Sequence, residues 1–108
     1  MIIIVVKYLI PKGYKGITFF PFIFLLNKED EKKVVLVNHE KIHIRQQLEL
    51  LVVLFFVLYV IEFLFRFFKY RDWNKAYRNI SFEKEAYSNE KDLNYLKKRS
   101  FWSWVNYF

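Results

Sequence analysis

The chain contains no cysteine and only two glycines and two prolines in 108 residues. Without cysteine, a disulfide scaffold and a thiolate-bound metal are both excluded. The scarcity of glycine and proline argues against long flexible linkers, and no internal repeat is visible in the sequence. The sequence therefore predicts a single domain that covers residues 1–108.

Apolar and aromatic residues are abundant for a chain of this length. Hydrophobic residues make up 55% of the sequence and aromatic residues 22%, including thirteen phenylalanines. A domain this small leaves much of its surface exposed, so it cannot bury all of that apolar surface within itself. We therefore expect part of the surface to contact lipid, a membrane partner protein or a second copy in a homo-oligomer.

The net charge of +7 suits an anionic membrane surface or a nucleic acid. The cations are scattered along the sequence and no nucleic-acid-binding motif is present, which disfavours nucleic acid as a partner. The first ten residues lack the basic start and the small-residue cleavage site of a signal peptide. We expect a protein of the cell's inner membrane, integral or interfacial, with no cleavable signal peptide.

Residues 1–27 contain two runs that are typical of β-strands. β-branched and aromatic residues fill 2–10 and 17–26, and the segment between the runs has a proline at its start and a glycine at its end. This pattern predicts a β-hairpin, with Pro21 at a sheet edge or a bulge. The alternative is a hairpin inserted into a membrane, although each run is far shorter than the roughly 20 residues that span a bilayer.

The remainder of the chain predicts helices. Residues 34–68 contain neither glycine nor proline and indicate one long helix, with Asn38 as a candidate N-cap and an apolar second half. Residues 71–99 predict a second helix, with a candidate break at residues 79–81, that packs against the first. Residues 100–108 form an aromatic tail, either an interfacial anchor or a poorly ordered terminus. The predicted fold class is mainly α with a short N-terminal β-hairpin, an α+β arrangement.

The two histidines of the chain lie four residues apart, in the segment H-E-K-I-H. On a helix this spacing places His39 and His43 on one face, one turn apart, which suits two ligands of a tetrahedral zinc ion. Zinc lowers the pKa of a bound water, and Glu40 is placed to take the proton of that water. The alternative is a polar first turn before a hydrophobic helix. The metal site is the favoured interpretation, and it requires a third ligand.

The third ligand is expected among the acidic residues that follow the apolar segment. Helical periodicity places Glu83 on the inward, apolar face of the second helix and Glu85 on its polar face. A carboxylate held on an inward face needs a metal or a cation as its partner, so Glu83 is the first candidate. The alternatives are that Glu83 pairs with Arg45 or another base, and that Glu85 or Glu90 is the ligand.

The segment H-E-K-I-H, followed by Glu83 and three residues later by Ala86, resembles the gluzincin pattern of zinc peptidases. The stretch that begins with this segment is similar to the β-lactam-sensor, heat-shock and prenyl-protein membrane peptidases, and the chain length is similar to that of the soluble minigluzincins. The resemblance implies that His39, His43 and Glu83 bind Zn²⁺ and that Glu40 is the catalytic base. It implies a membrane-associated endopeptidase for peptide or protein substrates, and an edge strand of the N-terminal sheet can pair with an extended peptide.

One position departs from that family pattern. Four residues after the ligand glutamate, gluzincins usually place an aspartate or asparagine that orients a histidine, and this chain has Tyr87 there. Metal-binding histidines generally need such support. Glu90 or Asn89 can supply it, and Tyr87 can instead donate a hydrogen bond to a developing oxyanion. The competing function is a non-catalytic membrane or interaction protein with a structural or vestigial zinc site.

A helix that crosses the bilayer at residues 50–68 is incompatible with Glu83 as a ligand of the same metal. At about 1.5 Å per residue, such a helix carries the chain about 40 Å away from His43. Residues 69–82 can return over that distance only as an extended chain, whose unpaired backbone cannot cross lipid. The apolar helix must then lie in the interface, bend back near Glu62, or pack antiparallel to the second helix with a later glutamate as the ligand.

Overall fold

The structure, a computed structural model, describes residues 2–6, 8 and 10–108. It is mainly helical with a small sheet near the N-terminus, as predicted. The strands are β1 (Ile2–Val5), β2 (Gly16–Phe19) and β3 (Phe22–Leu25). The α-helices are α1 (Val34–Glu49), α2 (Val53–Tyr70), α3 (Trp73–Arg78), α4 (Ser81–Asn89) and α5 (Tyr95–Lys98). Two 3₁₀ helices cover Lys28–Lys32 and Ser103–Tyr107.

The sheet has three strands in the order β1-β3-β2, and the predicted hairpin between the two apolar runs is wrong. β2 and β3 form an antiparallel hairpin across Phe20 and Pro21, and β1 pairs in parallel with β3. The second apolar run thus contains a complete hairpin, because Pro21 cannot donate a ladder hydrogen bond and lies in the turn instead. In the first run, Lys7 and Leu9 lie outside the described residues. β2 is left at one edge of the sheet.

Helix α1 lies between the sheet and α4. Ile44 packs with Ile23 and Leu25 of β3, whereas Ile42 packs with Ala86 of α4. Neighbouring positions on α1 face different elements because successive helical residues are rotated by about 100°. The other buried residues of α1 are all polar: Asn38, His39, Glu40, His43, Gln46 and Gln47. Polar residues are seldom buried unless they are paired or functional, which makes this surface of α1 the first place to look for a site.

The predicted single helix over residues 34–68 is wrong at residues 50–52, where α1 ends and α2 leaves at an angle of 111°. Leu51 and Val52 have positive φ angles of 56° and 61°. Residues with a Cβ, and β-branched ones above all, rarely adopt this conformation, which costs about 1–3 kcal/mol for each residue. The bend therefore has no local cause in the sequence and is imposed by the packing of α2 on the rest of the domain.

Helix α2 buries two of its three charged residues and exposes eight of its apolar residues. Glu62 and Arg66 are 6% and 8% exposed. We call the exposed apolar residues of this helix the α2 stripe: Val53, Leu54, Val57, Val60, Ile61, Leu64, Phe65 and Phe68. Among the described helices, no single one is long and apolar enough to cross a membrane, and α1 and α2 pass that test only together, across their bend.

The predicted helix over residues 71–99 is divided into α3, α4 and α5. Helix α4 starts at Ser81, whose backbone nitrogen and hydroxyl donate to the Glu62 carboxylate at 2.7 and 2.6 Å. A carboxylate at this position satisfies amides that have no partner within the helix and interacts favourably with the helix dipole. The buried glutamate of α2 thereby fixes where α4 begins. The aromatic tail packs on α4, with the Trp104 and Phe82 ring centroids 4.7 Å apart.

Candidate metal centre

His39 and His43 of α1 and Glu83 of α4 converge on one buried point. The Nε2 atoms of the two histidines lie 3.2 Å apart, and Glu83 Oε1 lies 3.3 Å from Nε2 of His39 and 3.1 Å from Nε2 of His43. Ligand atoms bound at about 2.0–2.1 Å to a tetrahedral zinc ion are themselves about 3.3 Å apart. The three donor atoms therefore have the mutual spacing that one metal ion requires.

The far nitrogen of each imidazole is hydrogen-bonded away from this point. Nδ1 of His39 lies 3.1 Å from Oε1 of Glu90, and Nδ1 of His43 lies 2.8 Å from Oε1 of Gln46. A carboxylate oxygen and an amide oxygen can only accept, so each Nδ1 carries the proton. In the neutral rings, both Nε2 atoms then present lone pairs to the centre, which is the tautomer that a metal ligand needs.

Gln46 is itself held in the orientation that His43 requires. Its amide nitrogen donates to Glu85 Oε1 at 2.8 Å and to the backbone oxygen of Phe82 at 3.1 Å, so its oxygen is the atom that faces His43. Glu85 is fully buried, and the prediction that it lies on a polar face is wrong. The physical reason is Arg99, which follows α5 and forms a buried ion pair with Glu85.

Zinc is the metal that the sequence predicts here, and we expect Gln46→Leu to weaken its binding by about 10–100-fold, because leucine cannot accept the hydrogen bond from Nδ1 of His43 and the ring loses its fixed tautomer. The affinity is measured by competition with a chromophoric zinc chelator. Gln47→Leu is the matched control, because Gln47 is equally buried but bonds only to the β2–β3 hairpin. Wild-type affinity in the Gln46 variant would mean that this residue does not orient His43.

The charges at the centre favour a cation. Burial alone lowers the pKa of His43, but Glu83 and Glu40, together with the hydrogen bond to Gln46, outweigh it and raise the pKa to about 9. Burial raises the pKa of Glu83, and the two histidines reverse this and hold it well below its ordinary value. Two lone pairs and a carboxylate oxygen at this spacing repel one another unless a proton or a metal ion lies between them. The donor set therefore fits a metal ion.

Glu40 lies beside the metal-binding group, on the side of β2. The hydroxyl of Thr18 donates to Glu40 Oε2 at 2.5 Å. Glu40 Oε1 approaches β2 so closely at Gly16 that a Cβ atom there would lie only 3.0 Å from it. Glu40 is 5% exposed and lines the same cavity as both histidines, without belonging to the group of converging donors. One residue along a helix is a rotation of about 100°, which directs Glu40 away from the converging donors and toward β2.

Tyr59 of α2 contacts the centre although the sequence did not single it out. Its hydroxyl donates to Glu83 Oε2 at 2.6 Å. Burial, and after it the Glu83 carboxylate, raise the pKa of Tyr59 far above its ordinary value, so the hydroxyl remains a donor. Tyr59 thereby holds one carboxylate oxygen, and the other, Oε1, faces the two histidines. In the sequence, Tyr59 is distinguished from its neighbours in the apolar run of residues 50–61 only by its hydroxyl group.

Tyr87 supports the centre through its ring. The ring packs edge-on against His39, with centroids 4.4 Å apart, and the hydroxyl lies 3.0 Å from the hydroxyl of Tyr77. Of these two tyrosines, Tyr77 lines the cavity. Burial, followed by the Glu83 carboxylate, raises the pKa of Tyr77 well above its ordinary value, so this hydroxyl also keeps its proton.

The turn after α4 brings Glu90 to His39. Its backbone is held by Asn38, whose side-chain amide donates to the carbonyl oxygens of Glu90 at 2.8 Å and Asp92 at 3.0 Å. Asn38 lies inside α1, which starts at Val34, so its predicted role as N-cap is wrong. This clamp holds the Glu90 carboxylate against Nδ1 of His39. The side chain of Asn89 instead donates to the backbone of α4 and to the tail.

A cavity of about 380 Å³ adjoins the centre. Its size lies within the range of small-molecule and peptide side-chain pockets. The walls are mostly apolar and aromatic residues of α2, α3 and the β1–β2 loop, and the buried floor carries the polar groups: Thr18, His39, Glu40, His43, Gln47 and Glu83. The converging donors are therefore open to a ligand on one side.

Comparisons of the chain with protein-family models, with curated proteins and with solved structures found no match.

Proposed function

We propose that this protein is a membrane-associated zinc endopeptidase in which His39, His43 and Glu83 bind the metal. The observation that carries the proposal is the convergence of three donor atoms at 3.1–3.3 Å, with both Nδ1 atoms bonded elsewhere. Two imidazoles and one carboxylate with an open side form a donor set used by catalytic zinc in peptidases. When bound, Zn²⁺ polarises a substrate carbonyl and lowers the pKa of a water.

Glu40 is the proposed general base. Thr18 holds Oε2, and the other carboxylate oxygen accepts the proton of the attacking water and passes it to the nitrogen of the leaving amine. Tyr77 lies in the cavity wall with its proton retained and is the proposed donor to the oxyanion that develops on the carbonyl oxygen.

The substrate is proposed to bind in an extended form along β2. This strand is at the edge of the sheet, and Gly16, Ile17 and Thr18 line the cavity. Gln47 bonds to the backbone at Thr18 and Phe20, at 2.8 and 2.7 Å, which fastens this end of the strand to α1, so the proposed pairing is with the part of β2 before Thr18. An edge strand fixed beside the centre supports β-sheet pairing with a peptide.

A peptide library incubated with the purified protein tests the peptidase activity. We expect cleavage by the zinc-loaded protein, its loss after chelation, and its return when zinc is restored. The competing function is a non-catalytic membrane or interaction protein with a structural zinc. Full zinc content with no cleavage across a broad library would favour that function and contradict the peptidase.

We infer that the α2 stripe lies in the membrane interface. Each of its eight residues is at least 47% exposed, whereas the two charged residues within the apolar part of the helix are buried. This arrangement is the reverse of a water-facing helix. The exposed cations Lys69 and Arg71 at the end of the stripe, and the net charge of +7, are complementary to anionic headgroups. The expected location is the cell's inner membrane.

We expect Leu64→Glu combined with Phe68→Glu to lower binding to anionic vesicles by at least about tenfold, because each new charge must leave water when the stripe enters the interface. The fraction bound is measured by flotation. Leu93→Glu is the matched control, since Leu93 is 54% exposed and Leu64 is 50% exposed, but Leu93 lies outside the stripe. Equal flotation of the double variant and the control would contradict membrane binding through α2.

A further inference from the structure

We propose that the substrate enters the cavity from the lipid interface, beside α2, and that its class is a peptide whose scissile bond adjoins an apolar segment held in the bilayer. This inference rests on the proposed peptidase function and on the proposed position of the α2 stripe.

The rim of the cavity is apolar. The three exposed residues that line it are Pro11, Val60 and Trp73, whereas the polar groups lie at its buried floor. An interface that a protein forms with a partner in water ordinarily has a polar rim around an apolar core. Here the exposed rim is apolar and the polar groups lie at the buried floor, so a substrate segment loses contact with water before it reaches the histidines.

Val60 belongs both to the rim of the cavity and to the α2 stripe. One face of α2 therefore forms a wall of the cavity, and the adjoining face of the same helix is the proposed lipid contact. Phe56 and Phe63, which lie one turn before and one turn after Val60, continue the cavity wall on the inner side. The cavity thus opens on the surface that the stripe places in the interface.

The β1–β2 loop closes the opposite part of the rim. Nε1 of Trp73 donates to the hydroxyl of Tyr14 at 3.2 Å, and the Tyr14 ring packs edge-on against Tyr77 at 5.3 Å. These contacts join the loop to α3 across the cavity. The proposed entry is therefore on the side of the rim where Val60 lies.

The chemistry of the path selects an apolar substrate segment. Among the described residues that line the cavity, the charged side chains are Glu40 and Glu83, and both are at the floor; lysine and arginine are absent. In the proposed mechanism Glu83 is bound to the metal and Glu40 to the attacking water, so a charged substrate side chain next to the scissile bond would lose its hydration without a carboxylate left to pair with. A large apolar or aromatic side chain instead packs against the aromatic walls.

The test compares two membrane-anchored peptides that carry the same cleavable sequence, found with the library. In one peptide the sequence adjoins an apolar anchor directly, and in the other a long glycine-serine spacer separates them. Both are concentrated on the same vesicles of phosphatidylcholine and phosphatidylglycerol, so the comparison removes the effect of surface concentration. We expect the peptide without the spacer to be cleaved at least about tenfold faster, because its scissile bond stays at the depth of the rim.

Cleavage of the spaced peptide at an equal or higher rate would overturn this inference and leave the peptidase intact. Failure to cleave either anchored peptide or any free peptide would overturn both. As a second readout, Val60→Lys should bring the ratio of the two rates toward one, because a charge at the rim obstructs an apolar segment. Leu93→Lys adds the same charge away from the cavity and should leave that ratio as in the wild type.

Discussion

Replacing Glu40 by glutamine is expected to lower the rate of peptide cleavage by about 10²–10⁴-fold while zinc remains bound. Glutamine has the same shape, and its carbonyl oxygen can still accept the hydrogen bond from Thr18, so the contact between α1 and β2 survives. The amide cannot accept a proton from water, so the loss falls on catalysis. Metal content is unaffected because Glu40 is not among the converging donors.

The measurement for Glu40→Gln is kcat/KM on the best library peptide, together with zinc content by elemental analysis of the same sample. Glu31→Gln is the control, since it makes the same chemical change at an exposed carboxylate of the 3₁₀ helix Lys28–Lys32. The control should match the wild type in both measurements. Wild-type kcat/KM in the Glu40 variant would show that this carboxylate does not act as the base.

Replacing Arg99 by methionine is expected to lower the free energy of unfolding by about 3–5 kcal/mol. The guanidinium bonds to Glu85 Oε1 at 3.0 Å and to Glu49 Oε2 at 2.7 Å, and the side chains of Arg99 and Glu85 are fully buried. Without Arg99, two carboxylates lose their cation in a region from which water is excluded. Gln46, which Glu85 holds against His43, then loses its anchor as well.

Lys98→Met is the control for Arg99, because Lys98 is the adjacent cation and its ammonium pairs with Asp92 at 2.7 Å on the surface. A surface ion pair of this kind contributes about 0–1 kcal/mol. Both variants are unfolded with urea in the same detergent and with a chelator present, so that metal binding does not enter the comparison. The double variant Glu85→Gln, Arg99→Met should recover part of the loss, because the uncompensated charge is removed. Equal stability of the two single variants would contradict a buried ion network.

Helical periodicity predicted the shared face of His39 and His43 and the inward face of Glu83, whereas the choice of Glu83 over Glu85 and Glu90 as their partner also used the resemblance to the gluzincin pattern. Four residues make one helical turn, which placed the histidines together, and the apolar neighbours of Glu83 placed it on an inward face. These are local properties that the tertiary structure does not change. The same reasoning missed the bend at residues 50–52, because leucine and valine there carry no preference for positive φ and only the packing of α2 imposes it.

The partners of the centre were harder to predict than the donors. Gln46 and Glu85 are polar residues on helices, and hydropathy assigns such residues to a solvated face. They are buried because Arg99, more than ten residues further along the chain than Glu85, folds back over them. Tyr59 reaches Glu83 only because α2 turns back at the bend. Each of these contacts depends on the three-dimensional path of the chain and has no counterpart in a local pattern.

Zinc stoichiometry, determined by elemental analysis of purified wild type, His39→Ala, Glu83→Ala and Glu85→Gln, tests the metal centre most directly. We expect about one zinc ion per chain in the wild type and in Glu85→Gln, and loss of zinc in the two ligand variants. Circular dichroism of the same samples verifies that each remains helical. A well-folded wild type without zinc, or full zinc content in Glu83→Ala, would contradict the assignment of these three residues as the metal ligands.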